Sequence, residues 1–303
     1  MEKRRVLIVL ILTTFFLASA LFIYSASKTQ LSMNNGDKIN VIVSIPPEAE
    51  FVEKVGGNKV KVTTMVPTGA NPHTYEPLPE QLKEVSTARI YFQIGSGLEF
   101  ENIWMDKLKD INKNMVIVNC SNGITFIPNQ ESSEDEHHGE SQYDTHVWVS
   151  PQNAKIMVEN IYQSLVKADP ANEGYYRLNK DKYIAELDSS DKSINESLQK
   201  GNSRKILVYH PAWGYFCRDY GLTQISIEKD GKEPTPQGIA SIIEQAKKEN
   251  IKVIFVSPQY NSNSARAIAS EIGGQIVTID DLDKNYLSNL NNVAEAFKNA
   301  LNS

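Results

Sequence analysis

The sequence predicts an α/β protein of two lobes, each a parallel sheet flanked by helices, with one long rigid helix joining them. Three observations carry this reading. From Ile39 onward, short β-branched runs alternate with helical stretches, which is the pattern of a parallel sheet covered on both faces. A charged helical stretch, 172–199, then breaks the alternation and would reach about 40 Å at about 1.5 Å per residue. Beyond Gly201 the alternation resumes and continues to the last helix. The length of 303 residues suits two globular halves.

In chain order, Glu2-Lys3-Arg4-Arg5 precedes an uncharged, mostly apolar run from Val6 to Tyr24, a basic head followed by an export segment. The run approaches the roughly 20 residues that span a bilayer, so residues 1–27 are expected to be either a signal peptide or an N-terminal membrane anchor, outside the cytoplasm in both cases. Residues 28–38 form a polar spacer. In the expected N-terminal lobe, 39–170, strands fall at 39–45, 59–66, 89–94 and 115–120, with helices at 48–55, 78–88 and 100–111 between them. Periodicity is lost from Ser121 to Thr145, where Glu131, Glu134, Asp135, Glu136 and Glu140 surround His137 and His138 in an acidic loop. An amphipathic helix follows over 153–168, with Pro151 at its start.

The linking helix is assigned to 171–202, and the C-terminal lobe to 203–303. In that lobe strands are expected at 205–209, 223–227, 252–256 and 275–279. Helices are expected from Pro211, over 236–249 and 262–272, and at the C-terminus. Thr235-Pro236 is a helix start, a capping residue followed by a proline in the first turn.

Composition excludes some functions. A net charge of −6 and a pI near 5.5 leave no basic footprint for nucleic acid. Two cysteines, Cys120 and Cys217, make no disulfide framework and no metal-ligand spacing, and their apolar surroundings suggest buried thiols.

Of five histidines, three lie at element boundaries in the ordered part. His73 sits after a strand in the stiff loop Gly69-Ala-Asn-Pro-His-Thr-Tyr-Glu-Pro77, where Pro72 and Pro77 restrict the backbone. His146 precedes a helix, and His210 ends a strand before Pro211. Open α/β sheets bind ligands at the carboxyl ends of their strands. Three imidazoles could therefore converge between the lobes and, with one carboxylate, close a tetrahedral shell for Zn(II). Asp280, Asp281 and Asp283, at the end of the last strand, are the candidates for that carboxylate. Asp144 and Tyr75 are candidates for orienting the imidazoles, and Trp148, Trp213, Tyr215 and Phe216 for packing the lobe interface. Glu233 carries no role on sequence grounds.

The segments Gly69–Pro77, Asp144-Thr-His-Val-Trp-Val-Ser-Pro151, Val208-Tyr-His-Pro-Ala-Trp-Gly-Tyr-Phe216 and Gly231-Lys-Glu-Pro-Thr-Pro236 resemble, in order, the signature segments of the zinc and manganese ABC-transporter solute-binding proteins (cluster A-I). The resemblance runs from about Ile39 to the C-terminus. It implies a bilobed extracytoplasmic protein that is not an enzyme, binds one metal ion between its lobes and delivers it to a membrane permease. The family's ligands fall on His73, His146 and His210, and the fourth falls best on Asp283. Within the family, histidine at the third position favours zinc where glutamate favours manganese, and imidazole softness points the same way. Zn(II) is thus the expected cargo and Mn(II) the second choice. A monomer is expected, and the short His/acidic loop could gather zinc near the site. The alternatives of another class are a secreted zinc hydrolase, disfavoured because no His-Glu-x-x-His helix is present, and a surface adhesin on the same fold.

Overall fold

A computed structural model of the chain describes residues 38–129, 142–228, 231–261 and 263–302. The expected export segment, nearly all of the spacer, and the loop from Glu131 to Glu140 lie outside the described residues. Among those residues no helix is long and apolar enough to cross a membrane.

Two four-stranded parallel sheets form the framework. The first contains β1 (Ile39–Val43), β2 (Val60–Thr64), β3 (Ile90–Gln93) and β4 (Val116–Asn119) in the order β2-β1-β3-β4. The second contains β5 (Lys205–Val208), β6 (Thr223–Ser226), β7 (Val253–Val256) and β8 (Gln275–Thr278) in the order β6-β5-β7-β8. The inner strands are the apolar ones: all four residues of β7 are buried, as are Ile39, Val41, Ile42 and Val43 of β1. A strand covered on both faces needs such a continuous apolar run. Strand order reverses between β1 and β3 and again between β5 and β7, so each lobe has a crevice at the carboxyl ends of those strands.

The helices are α1 (Pro46–Gly56), α2 (Pro79–Thr87), α3 (Glu99–Ile111), α4 (Pro151–Ala168), α5 (Glu173–Leu198), α6 (Gly214–Tyr220), α7 (Pro236–Lys248), α8 (Asn263–Ile272) and α9 (Tyr286–Leu301). Helix α1 starts at Pro46, two residues earlier than expected, because Pro46 and Pro47 occupy the first turn, where a missing N–H costs nothing. Helix α4 is capped by the Ser150 hydroxyl, which accepts from Asn153 N–H at 3.1 Å, and α7 by Thr235, which accepts from Gly238 N–H at 3.1 Å. The helix expected from Pro211 begins only at Gly214, since the chain first turns at His210, whose carbonyl accepts from Ala212 N–H at 2.9 Å.

Helix α5 has 26 residues, about 39 Å of helix at about 1.5 Å per residue. It packs on α1 and α4 of the first lobe and on α9 of the second, so it joins the lobes as the sequence suggests. Its buried stripe is Tyr176, Tyr183, Leu187, Ser190, Ile194 and Leu198. Leu178, apolar, is exposed; the tyrosines set the helical phase because the hydroxyls of Tyr176 and Tyr183 find acceptors on Asp169 and Glu50 at 2.8 and 2.7 Å.

In the first lobe the crevice is filled. Glu101, buried, accepts from Ile94 N–H, Gly95 N–H and the Ser44 hydroxyl, and Glu48 Oε2 accepts from Ser44 N–H at 3.0 Å. Burial raises both carboxyls above the usual carboxylate range. Glu101 thereby pins the loop between β3 and α3, in which Ser96 donates to the Thr145 carbonyl and Glu99 opens the helix. That loop borders the site described next.

Candidate metal centre

Each of the three histidines is delivered by a different local device. After β2, the Asn71 side chain accepts from His73 N–H at 2.8 Å, an Asx turn that fixes the imidazole's backbone. Gln81 holds the same loop from below: its amide donates to the Thr64 and Met65 carbonyls, and its oxygen accepts from Leu78 N–H and the Tyr75 hydroxyl. His146 precedes the 3₁₀ turn Val147–Val149, with its N–H bonded to Asp144 Oδ1 at 2.9 Å. His210 follows β5 at the reversal point of the second sheet, stacked on Tyr260 with ring centroids 4.3 Å apart.

These side chains converge. One ring nitrogen from each of His73, His146 and His210 lies within 4.8 Å of the other two, the arrangement needed to hold a metal ion. The opposite nitrogen, Nδ1, is hydrogen bonded to a carboxylate in two cases, Asp144 at 2.9 Å for His146 and Glu228 at 3.1 Å for His210, and in the third, His73, lies 3.1 Å from Glu99 Oε2 without hydrogen-bond geometry. A carboxylate facing Nδ1 places the proton there and turns the Nε2 lone pair inward. The Nε2 atoms of His146 and His210 are 3.1 Å apart, and Nε2 of His73 is buried with no hydrogen-bond partner among the described residues. At that separation the two nitrogens either share a proton in a hydrogen bond or hold a cation between them. A cavity of about 420 Å³ opens beside the imidazoles, with Glu99, Asp144 and Glu228 in its wall.

The electrostatics fit the same purpose. Burial, and then the charge of His146, push the His210 imidazole down to about 3, so it stays neutral and available as a ligand. Burial opposes charge on His146 too, but the Asp144 hydrogen bond and charge, with Asp281 and Glu99, raise it above the usual histidine value. Burial lifts Glu228 to about 7, with His73 and His146 pulling the other way. For Glu99 burial is outweighed by the neighbouring His73 imidazole, and its carboxyl is lowered.

The acidic residues separate clearly. Asp283 is not brought to the histidines: its Oδ1 accepts from Asn285 N–H at 2.8 Å and Asn285 Nδ2 at 3.2 Å, in the turn before α9. Asp280 accepts from Gln259 Nε2 and Leu282 N–H. Asp281 is buried, takes a hydrogen bond from the Ser257 hydroxyl at 3.2 Å, and is the only one of the three whose charge acts on both His146 and His210. Its carboxylate lies outside the close grouping of the three imidazoles. The loop hydrogen bonds turn Asp280 toward Leu282 N–H and Asp283 toward Asn285 N–H, and Asp281 alone of the three is buried.

Other expected helpers sort in the same way. Asp144 does orient an imidazole; Tyr75 does not, because its hydroxyl is engaged by Gln81. Trp148 and Tyr215 bridge the lobes, Tyr215 donating to the Asp144 carbonyl at 2.8 Å, whereas Trp213 and Phe216 pack on Phe297 within the second lobe. Glu233 accepts from the Ser264 hydroxyl at 2.7 Å. Cys120 and Cys217 are free and buried. Glu99 and Glu228 escaped the sequence reading, although both follow strand ends, as two of the three histidines do.

Comparison with known proteins gives this arrangement its context. The family described as "Zinc-uptake complex component A periplasmic" (ZnuA) matches residues 41–300. The chain belongs to this family. This ZnuA-family chain is 31% identical over 262 residues to the high-affinity zinc uptake system protein ZnuA of Bacillus subtilis (strain 168), covering 82% of this chain and 80% of that protein. A crystal structure of ZnuA superposes with a TM-score of 0.83 at 39% identity, covering 88% of this chain and all of that one. A second, described as a 138–173 ZnuA deletion mutant with zinc bound, gives a TM-score of 0.82 at 38% identity, covering 88% of this chain and 99% of that one. As a member of the ZnuA family, the chain is an extracytoplasmic solute-binding component of a metal ABC transporter and not an enzyme.

Proposed function

We propose that this protein binds one Zn(II) between its lobes through Nε2 of His73, His146 and His210 with Asp281 as fourth ligand, and delivers it to the membrane permease. Lobes 39–170 and 203–303, joined through 171–202, provide the two sides of the site, and residues 1–27 direct the chain out of the cytoplasm. The observation that carries the reading is the grouping of one ring nitrogen from each of three histidines within 4.8 Å, with Nδ1 of His146 and His210 hydrogen bonded to carboxylates and Nδ1 of His73 beside Glu99. Three imidazoles and one carboxylate form a closed tetrahedral set suited to Zn(II), and a donor set this rich in nitrogen favours Zn(II) over the harder Mn(II). Support also comes from the zinc described in the solved ZnuA deletion mutant.

The test is a titration of the full-length chain in detergent with Zn(II) and Mn(II) against a competing chelator. One tight equivalent of zinc, bound more strongly than manganese, is expected, and His210→Ala should weaken it by orders of magnitude. No tight equivalent, a preference for manganese, or a His210→Ala variant that binds as the parent does would contradict the proposal.

A further inference from the structure

Trp148 is buried in the turn that follows His146, and its indole N–H donates across the lobe boundary to the backbone carbonyl of Asp281 at 2.8 Å. The return bond comes from Tyr286, whose hydroxyl donates to the Trp148 carbonyl at 2.7 Å. Both bonds are buried. Their partners are not arbitrary core groups. The donor lies two residues from a candidate ligand of the first lobe, and the acceptor belongs to the candidate acidic ligand of the second.

We infer that Trp148, with Tyr286, is a positioning clasp that sets the separation of His146 from Asp281 and so completes the metal's coordination shell without touching the metal. This rests on the zinc-site reading above and deepens it. Each end of the clasp is itself anchored. On the first-lobe side, the Val147 carbonyl accepts from Asn153 Nδ2 at 2.9 Å and Ser150 caps α4, so the turn cannot shift independently of the helix. On the second-lobe side, the Asp281 carboxylate is held by Ser257, and the Tyr286 ring meets Phe51 of α1 edge-on at 4.7 Å.

The physical need is clear. Ligands from two lobes must be held to within about 0.5 Å, and packing of large apolar faces alone sets distances less sharply than a directed hydrogen bond. A backbone carbonyl is a good handle for the purpose, because the clasp then uses neither oxygen of the Asp281 carboxylate, of which Oδ1 takes the Ser257 bond. Residues that orient ligands from one step away commonly contribute about 10–100-fold to metal affinity. A tryptophan serving only as filler would contribute volume and apolar burial, both of which phenylalanine largely retains.

The experiment compares wild type, Trp148→Phe and Tyr286→Phe, all as full-length chains in detergent, by zinc titration against a chelator and by the visible absorption of the Co(II)-substituted protein. Tyr286→Phe keeps the ring on Phe51 and removes only the hydroxyl. If the clasp positions Asp281, both variants lose zinc affinity, Trp148→Phe by about 10–100-fold and Tyr286→Phe by less. The intense visible bands of four-coordinate Co(II) should weaken as water takes the place of the carboxylate. Affinity within twofold of wild type and an unchanged Co(II) spectrum in a folded variant overturn the clasp, even if the melting temperature falls. Should Trp148→Phe not fold, Tyr286→Phe decides by the same criteria. Loss of the zinc-site reading is distinguishable: there wild type itself shows no tight equivalent, or His210→Ala binds like wild type, and the clasp falls with it.

Discussion

At the scale of residues, Asp281 and Asp283 stand two positions apart and meet different surroundings. One is buried with its charge on two imidazoles; the other ties down the turn before α9. Asp281→Ala is therefore expected to lower zinc affinity by at least about tenfold. Asp283→Ala should leave affinity within twofold and reduce stability by about 0.5–1.5 kcal/mol, the usual worth of a lost hydrogen bond. Chelator competition and thermal melts on the two variants separate these outcomes, and an affinity loss confined to Asp283→Ala would reverse the assignment. The sequence made the histidines legible because each stands at an element boundary, a position readable from strand and helix patterns. It could not choose among three aspartates within four positions, because that choice depends on which carboxylates the loop's own N–H groups capture. Glu99 and Glu228 were hidden for a related reason: a carboxylate that orients a histidine has no spacing of its own in the chain.

At the scale of elements, alternating strands and helices were readable throughout, since parallel strands must be apolar along their length and their connecting helices amphipathic. The phase of α5 was not, because it is set by the hydroxyls of Tyr176 and Tyr183 finding carboxylates on other elements. The buried acidic group at the β1–β3 crevice was equally invisible, as Glu48 and Glu101 fall inside expected helices with no spacing that marks them as buried. Glu48 makes a stability prediction with a definite sign. Its carboxyl is raised well above 4.5, burial being the largest cause, and its Oε1 has no partner. Between about 4.5, the unfolded value, and that raised value the folded chain holds more protons than the unfolded one, so stability falls as pH rises through the window. Glu48→Gln, neutral at every pH, should raise the melting temperature at pH 8 and flatten its decline between pH 5 and 8, each pH approximate. A variant less stable than the parent at pH 8 would show that the ionised carboxylate is needed there.

At the scale of the whole molecule, two sheets share one strand order with one reversal point each, but they use those points differently. The first lobe fills its crevice with Glu48, Glu101 and Ser44 and carries its histidines on the flanking loops; the second places His210 directly at the crevice. The lobes meet through α5 and the bonds of Trp148 to Asp281 and Tyr286, and the three imidazoles already stand together, so little ordering entropy would be lost from them on binding. The stiff loop around His73, legible from its prolines, belongs to the same economy of motion.

The most direct measurement is X-ray absorption at the zinc edge of the zinc-loaded full-length chain. The expected first shell is three imidazole nitrogens at about 2.0–2.1 Å and one carboxylate oxygen, with no sulfur. Fewer than three imidazoles, or a shell of oxygens alone, would contradict a centre built from His73, His146 and His210.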